Sequence, residues 1–119
     1  MKQQNIFSAF GNAFNGLFYF FRHERNGKIQ LTVAIVAICF ALYYNVSIIE
    51  WTAVLLCIGA VLSLEMLNSA VEKLCDLVQP SIHPVIKIVK DVAAGAVLFA
   101  SIISVIIAAL IFLPKILHL

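Results

Sequence analysis

A row of acidic and amide side chains in the middle of the chain has the residue types and the spacing to do chemistry. The row consists of Glu65, Asn68, Glu72 and Asp76. Steps of three, four and four residues put these side chains on one face of a single helix. Carboxylates on one face repel each other, and burial near lipid adds a larger desolvation cost, so we expect a cation to neutralise them. Mg²⁺ is the economical partner, because it takes one or two carboxylates together with phosphate oxygens and water.

Two smaller polar groups, one before the third apolar stretch and one before the first, add to this row. Lys90 could hold phosphate as a point charge, and Asp91 could orient phosphate or hold a metal ion, whereas Lys87 is interpreted as a membrane anchor. Glu24 precedes the first apolar run and alone indicates only a solvated linker. Carboxylates for Mg²⁺, cations for phosphate and a spare carboxylate as general base are what phosphoryl transfer needs. The five glycines form neither nucleotide-binding loop motif, so side chains and a metal ion must hold any nucleotide.

The composition assigns these side chains to a membrane protein. The 119 residues are 63% hydrophobic and only 12% charged, whereas a soluble domain is about half apolar and roughly a quarter charged. A net charge of +2 leaves no electrostatic footprint for nucleic acid. Cys39, Cys57 and Cys75 form no CxxC pair and are interpreted as small buried hydrophobes. We expect no cleaved signal peptide.

Three apolar stretches predict three transmembrane helices. Segment 29–49 has 21 uncharged residues and spans about 31 Å, enough for a hydrocarbon core of about 30 Å. The second run has 14 uncharged residues from Trp51 and spans only about 21 Å, so its helix, 51–78, must continue through Glu65. The third helix is predicted over 86–113. We therefore predict an all-α membrane protein that forms a single domain over its whole length, 1–119.

The segment before the first span predicts a further helix, over 5–22. Its large apolar side chains recur at helical spacing: Phe7, Phe10, Phe14, Leu17, Phe18 and Phe21. Such a stripe favours an amphipathic surface helix that lies in the membrane interface, and packing of the stripe against the protein's own spans is an equal alternative. Pro80 and Pro84 predict a short turn between the second and third spans.

Positive charges predict the orientation of the spans. Lysines and arginines near span ends are held on the cytoplasmic side. They cluster before the first span and between the second and third, at Lys2, Arg22, Arg25, Lys28, Lys73, Lys87 and Lys90. The C-terminal tail has only Lys115. We therefore expect a cytoplasmic N-terminus, an external C-terminus and a polar row that faces the cytoplasm.

The polar residues also resemble a family signature. The run Glu65-Met-Leu-Asn-Ser-Ala-Val-Glu72, followed by Asp76 and by Lys90-Asp91-Val-Ala-Ala-Gly-Ala-Val, resembles that of the small prokaryotic diacylglycerol kinases, which include the undecaprenol kinases. Supporting matches extend the resemblance over nearly the whole chain: Asn15-Gly16-Leu17, Glu24-Arg25-Asn26 and His83-Pro84.

The resemblance implies a homotrimeric bundle in the bacterial inner (cytoplasmic) membrane, with composite active sites at the cytoplasmic interface. Such an enzyme transfers the γ-phosphate of MgATP to the hydroxyl of a membrane lipid. Diacylglycerol would give phosphatidic acid and undecaprenol would give undecaprenyl phosphate. The sequence near Asp91 and the ending Phe112-Leu-Pro-Lys115 look more like the undecaprenol kinase branch, and both acceptors stay open.

The resemblance also implies roles for individual residues. Glu65 would be the catalytic general base that accepts the hydroxyl proton, and Glu24 and Glu72 would hold Mg²⁺. The nucleotide and its phosphates would be bound by Glu24, Asn68, Glu72, Asp76, Lys90 and Asp91. The alternative is a small non-enzymatic membrane protein that binds cations on its acidic face. Against it, the acids cluster at one interface and do not continue across the bilayer.

Overall fold

The computed structural model describes residues 5–79, 81 and 83–119, and these form four helices. The helices are α1 (Ile6–His23), α2 (Arg25–Tyr43), α3 (Ile48–Val78) and α4 (Pro84–Ile116). The last three are long and apolar enough to cross a membrane, which confirms the predicted all-helical chain with three candidate spans. Lys2 and Pro80, which the sequence interpretation used, lie outside the described residues.

Helix α2 differs from the predicted span 29–49 at both ends. It begins earlier, at Arg25, and ends earlier, at Tyr43. A short connection follows, in which Asn45 has a positive φ of 52°, a conformation that asparagine tolerates better than most residues. The next helix starts at Ile48, three residues before the predicted 51–78, because a capping box fixes its first turn. Glu50 N donates to Ser47 Oγ at 3.2 Å, and Ser47 N donates to Glu50 Oε1 at 2.9 Å.

Helix α4 is longer than the predicted 86–113 at both ends. Pro84 is its first residue, where the missing N–H costs no hydrogen bond, and the Val85 N–H is capped by His83 Nδ1 at 3.2 Å. At the other end the helix passes through Pro114 and stops at Ile116. A proline therefore opens this helix, and another lies in its last turn without ending it.

One end of the bundle is closed by apolar packing. Its buried cluster consists of Ala41, Val46, Val54, Ile111 and Phe112, with Tyr44 and Trp51 packed against it. An ion pair between Glu50 and Lys115, 3.1 Å apart, joins α3 to α4 there. We call this the closed end. Helix α4 packs along α3, and α2 packs against α3 more lightly.

An apolar groove separates the three long helices between the closed end and the polar row. The groove encloses about 280 Å³ and is lined by residues of α2, α3 and α4. Phe112 lines it within the closed end, and Gln30 lines it near the start of α2. The opposite end of the bundle carries the predicted site residues, and we call it the polar end.

Helix α1 (Ile6–His23) lies close to the predicted 5–22 and packs on α2, and its buried residue, Phe20, lies outside the predicted stripe. Phe20 is 4% exposed, and its ring lies so close to Gly27 that an added Cβ there would sit 2.8 Å from the ring. By contrast, the stripe residues Phe7, Phe10 and Phe14 are exposed. The chain's own described spans therefore do not cover them, and their contact with a membrane interface stays a prediction.

Candidate active site

The predicted polar row lies on α3, and its side chains differ in depth. Glu65 is 6% exposed and Asn68 is 8% exposed. Glu72 and Asp76, one and two turns further on, are exposed. The row therefore leads from a buried carboxylate to an exposed one. From Trp51 to Glu65 the helix rises about 21 Å. This is less than the hydrocarbon thickness of about 30 Å, so the helix reaches Glu65 before it is long enough to have crossed a membrane.

Glu65 has a polar partner on the neighbouring helix that sequence reasoning missed. Gln30 Nε2 of α2 donates a hydrogen bond to Glu65 Oε1 at 3.4 Å. Gln30 also lines the apolar groove. Its signal in the sequence is an amide near the start of an uncharged span, because polar side chains within spans are costly and usually have a function. The buried carboxylate is thus held at the head of the groove.

Asn68 carries an unsatisfied polar atom. Its side-chain oxygen, Oδ1, is buried and has no hydrogen-bond partner within the part of the chain that the structure describes. Buried polar atoms are nearly always paired, so this oxygen is free to accept a hydrogen bond or to coordinate a cation. Asn68 lies one turn from both Glu65 and Glu72 on α3. An oxygen donor is therefore available between the buried and the exposed carboxylates.

Glu24 lies between α1 and α2 and contacts α3. Its Oε1 is 2.7 Å from Lys73 Nζ, and its side chain is 25% exposed. The hydrogen bond from Lys73 lowers the pKa of Glu24 below its ordinary value, and a hydrogen bond from Ser69 acts in the same direction. Tyr19 of α1 adds a second contact, because Lys73 Nζ lies 5.7 Å from the centroid of its ring. The contact of Glu24 with this face of α3 was not predicted from spacing.

Helix α4 adds two ion pairs at the polar end. Lys90 Nζ lies 2.5 Å from Asp76 Oδ1 and joins α4 to α3. Lys87 Nζ lies 2.6 Å from Asp91 Oδ2 within α4. Lys87, interpreted from sequence as an anchor, therefore contacts a predicted site residue. Ammonium groups of the kind that bind phosphate and carboxylates of the kind that bind cations therefore lie close together at this end.

Among the described residues, four side-chain pairs along the polar end include predicted site residues. Glu65 pairs with Gln30, Glu24 with Lys73, Asp76 with Lys90, and Asp91 with Lys87. Glu72 has no side-chain hydrogen bond or ion pair within residues 5–79, 81 and 83–119. The same described ranges hold no cluster of three or more His, Cys, Asp or Glu side chains suited to a metal ion.

An all-helical membrane chain with a buried carboxylate and paired charges at one end matches a known family. The chain belongs to the prokaryotic diacylglycerol kinase family, whose sequence profile matches residues 11–112. This confirms the resemblance predicted from the polar residues. The chain is therefore an enzyme, a lipid kinase of the diacylglycerol and undecaprenol kinase type, and such a kinase uses a nucleotide phosphate donor.

Two relatives carry these names. The chain is 42% identical over 110 residues to "Undecaprenol kinase" of Bacillus subtilis (strain 168), covering 92% of this chain and 89% of the relative. It is 37% identical over 116 residues to "Diacylglycerol kinase" of a Synechocystis strain, covering 97% of this chain and 66% of the relative. The family and its relatives do not favour the non-enzymatic, cation-binding alternative.

Proposed function

We propose that the chain transfers the γ-phosphate of ATP to the primary hydroxyl of a long-chain membrane lipid. The observation that carries this proposal is the position of Glu65, a carboxylate that is buried on a helix long and apolar enough to cross a membrane and is hydrogen-bonded to Gln30, which lines an apolar groove. A base in this position can contact the hydroxyl of a lipid substrate while the hydrocarbon chain of that lipid stays in the membrane. Undecaprenol is the acceptor that we propose first, because the undecaprenol kinase shares more identity over more of its length. Diacylglycerol is the second candidate.

In the proposed reaction Glu65 accepts the proton of the lipid hydroxyl. The hydroxyl oxygen forms a bond to the γ-phosphorus as the bond between that phosphorus and the bridging oxygen of ADP breaks. Gln30 engages one carboxylate oxygen, Oε1, so the other oxygen is left for the hydroxyl. The products are the lipid phosphate and ADP, and the proton stays on Glu65 until solvent removes it.

The types of donor atom at the polar end support a magnesium ion as the cofactor. Carboxylates, amide oxygens and phosphate oxygens are the ligands that Mg²⁺ takes, and few of them need to come from the protein. We propose that Glu24 and Glu72 hold the ion and that the unpaired Asn68 Oδ1 faces the same bound group, as a ligand or through water. When bound, Mg²⁺ neutralises charge that develops on the phosphates. Lys90, Asp91 and Asp76 then position the nucleotide.

We also propose the family's assembly and placement for this chain. A homotrimer in the bacterial cytoplasmic membrane would bury spans that are largely exposed in the single chain. Gly95 of α4 has open space where a Cβ would lie, which permits close approach of another helix. The polar end carries Arg25, Lys28 and Lys73, whereas the closed end carries Lys115. This distribution supports a cytoplasmic active site and N-terminus.

The test is phosphate transfer from labelled ATP in detergent–lipid micelles that offer undecaprenol and diacylglycerol side by side, with and without Mg²⁺. We expect Mg²⁺-dependent labelling, stronger for undecaprenol. Glu65→Gln should lower turnover about a thousandfold or more, while leaving unfolding temperature and oligomeric state unchanged, because glutamine still offers Gln30 an oxygen acceptor. Unchanged turnover in this variant would remove Glu65 as the base, and labelling of neither lipid would contradict the proposed acceptors.

A further inference from the structure

Lys73 makes two contacts in the candidate active site that the proposed reaction leaves without a role. Its Nζ lies 2.7 Å from Glu24 Oε1 and 5.7 Å from the centroid of the Tyr19 ring. The Lys73 side chain is 54% exposed, whereas that of Glu24 is 25% exposed. The ammonium group is therefore bound to a half-buried carboxylate while it stays open to solvent on its other side.

The carboxylate that binds Lys73 is one that the proposed function gives to a divalent cation. An ammonium group and a metal ion on the same carboxylate repel each other, so each weakens the binding of the other. Lys73 also follows Glu72, the second proposed metal ligand, directly in the chain. Lys73 and the cation therefore compete for the same small region of negative charge.

We propose that Lys73 is a phosphate-binding side chain that rests on Glu24 until a divalent cation arrives with a nucleotide. The cation takes the carboxylate, Lys73 Nζ leaves it, and the freed ammonium group binds a phosphate oxygen of the same nucleotide. No covalent bond forms or breaks in this exchange. The inference rests on the proposed function, because it takes Glu24 as a metal ligand.

The chemistry of lysine suits this exchange. Lysine carries a compact charge on a flexible four-carbon stem, so its Nζ can move by several ångströms without a change in the helix. The exposed side of the ammonium group gives an incoming phosphate direct access. Lys73 also contacts the Tyr19 ring. A cation–π contact at an exposed site is weaker than an ion pair with phosphate, so it does not prevent Lys73 from binding a phosphate.

The test compares Lys73→Gln with Lys28→Gln in the full-length protein. Lys28 lies at the same end of the bundle and makes no ion pair within the described ranges, so its substitution removes the same charge without the contact. Binding of Mn²⁺ alone is followed by the loss of the free-ion electron paramagnetic resonance signal. Binding of Mn²⁺ with a non-hydrolysable ATP analogue is then measured by the same signal.

We expect Lys73→Gln to tighten binding of Mn²⁺ alone about fivefold and to weaken binding of the Mn²⁺–nucleotide complex about fivefold. The two changes are opposite in sign because the variant loses a competitor in the first measurement and a ligand in the second. Lys28→Gln should change both constants by less than about twofold, which accounts for the altered net charge.

Mn²⁺ binding that is unchanged or weaker in Lys73→Gln overturns the inference, and so does unchanged nucleotide binding. A variant that only lowers the unfolding temperature would make Lys73 a structural link between α1 and α3 and nothing more. Glu24→Gln distinguishes a failure of the metal assignment from a failure of the role of Lys73. If it binds Mn²⁺ as wild type does, the metal assignment fails and the inference fails with it. If it loses Mn²⁺ while Lys73→Gln behaves as wild type, the inference alone fails.

Discussion

Gln30 on α2 donates a hydrogen bond to Glu65 on α3, and this bond joins the two helices at the head of the apolar groove. Each of the two residues lies where a long apolar stretch of its helix meets the polar end. A buried carboxylate without a donor is costly, and a carboxylate with one donor has a fixed orientation. The bond therefore lowers the free-energy cost of burying Glu65, and it fixes the direction of the second carboxylate oxygen.

Gln30→Leu is expected to lower kcat about tenfold, because Glu65 loses the donor that orients it. The KM for nucleotide should change little, since among the described residues Gln30 bonds to Glu65 and to none of the charged pairs of the polar end. Steady-state kinetics at saturating lipid measure both constants. Thr32→Val is the matched control, because Thr32 donates only to the Lys28 carbonyl of its own helix. Equal kcat in Gln30→Leu and wild type would contradict an orienting role.

Gly27→Ala is expected to displace α1 from α2. The added Cβ would lie 2.8 Å from the ring of Phe20, which is buried and has little room to move. Overpacking of this kind costs about 1–3 kcal/mol, so we expect a lower unfolding temperature in detergent. Phe20→Leu in the same chain should restore part of the loss.

Gly11→Ala serves as the control for this substitution, because nothing lies within 4 Å of the added Cβ. It should be neutral or stabilising by about 0.5–1 kcal/mol, since alanine is the better helix former. If both alanine variants had the same unfolding temperature, the contact between Phe20 and Gly27 would not position α1.

The pair between Glu24 and Lys73 is expected to make stability depend on acid pH. Lys73 lowers the pKa of Glu24 in the folded chain relative to its ordinary value of 4.5. The pair therefore contributes its full stability above that ordinary value and loses it as the pH falls through the lower, folded pKa. Unfolding temperatures of wild type and Glu24→Gln, measured from pH 7 downward, should differ at neutral pH and converge in acid. A difference that does not depend on pH would contradict the pairing.

Asp76→Asn is expected to raise the KM for nucleotide about fivefold with little loss of stability. The pair of Asp76 with Lys90 is exposed on its Asp76 side, so its contribution to stability is at most about 1 kcal/mol. The expected kinetic effect arises because Lys90 loses its fixed position. Glu50→Gln makes the same charge change in the pair with Lys115 at the closed end and should leave KM unaltered. Similar KM values for both variants would remove Asp76 from nucleotide binding.

The sequence predicted the helices better than their ends. Hydropathy identifies three apolar segments long enough to span a membrane, and the structure has three such helices. It cannot locate the start of α3, because that depends on two hydrogen bonds between Ser47 and Glu50. Similarly, Pro84 was interpreted as part of a turn, although a proline at the first position of a helix is favourable.

The candidate site was likewise predicted only in part from the sequence. Spacing within one helix predicted that Glu65 and Asn68 share a face, because the geometry of a helix is fixed. Contacts between helices depend on how each helix is rotated and tilted, which residue spacing does not determine. For that reason the partners Gln30 and Lys73 were found only in the structure.

The closed end also determines where the chain can change shape. The buried apolar cluster around Ala41 and Phe112 lies at the end of the bundle opposite the predicted site residues, so much of the free energy that holds the helices together is located away from the chemistry. The polar end depends mainly on ion pairs, several of them exposed, which contribute little to the free energy of unfolding. We expect amide hydrogens near Phe112 to exchange more slowly than those near Glu72. Substrates could thus separate the helix ends around Glu65 while the rest of the bundle stays folded.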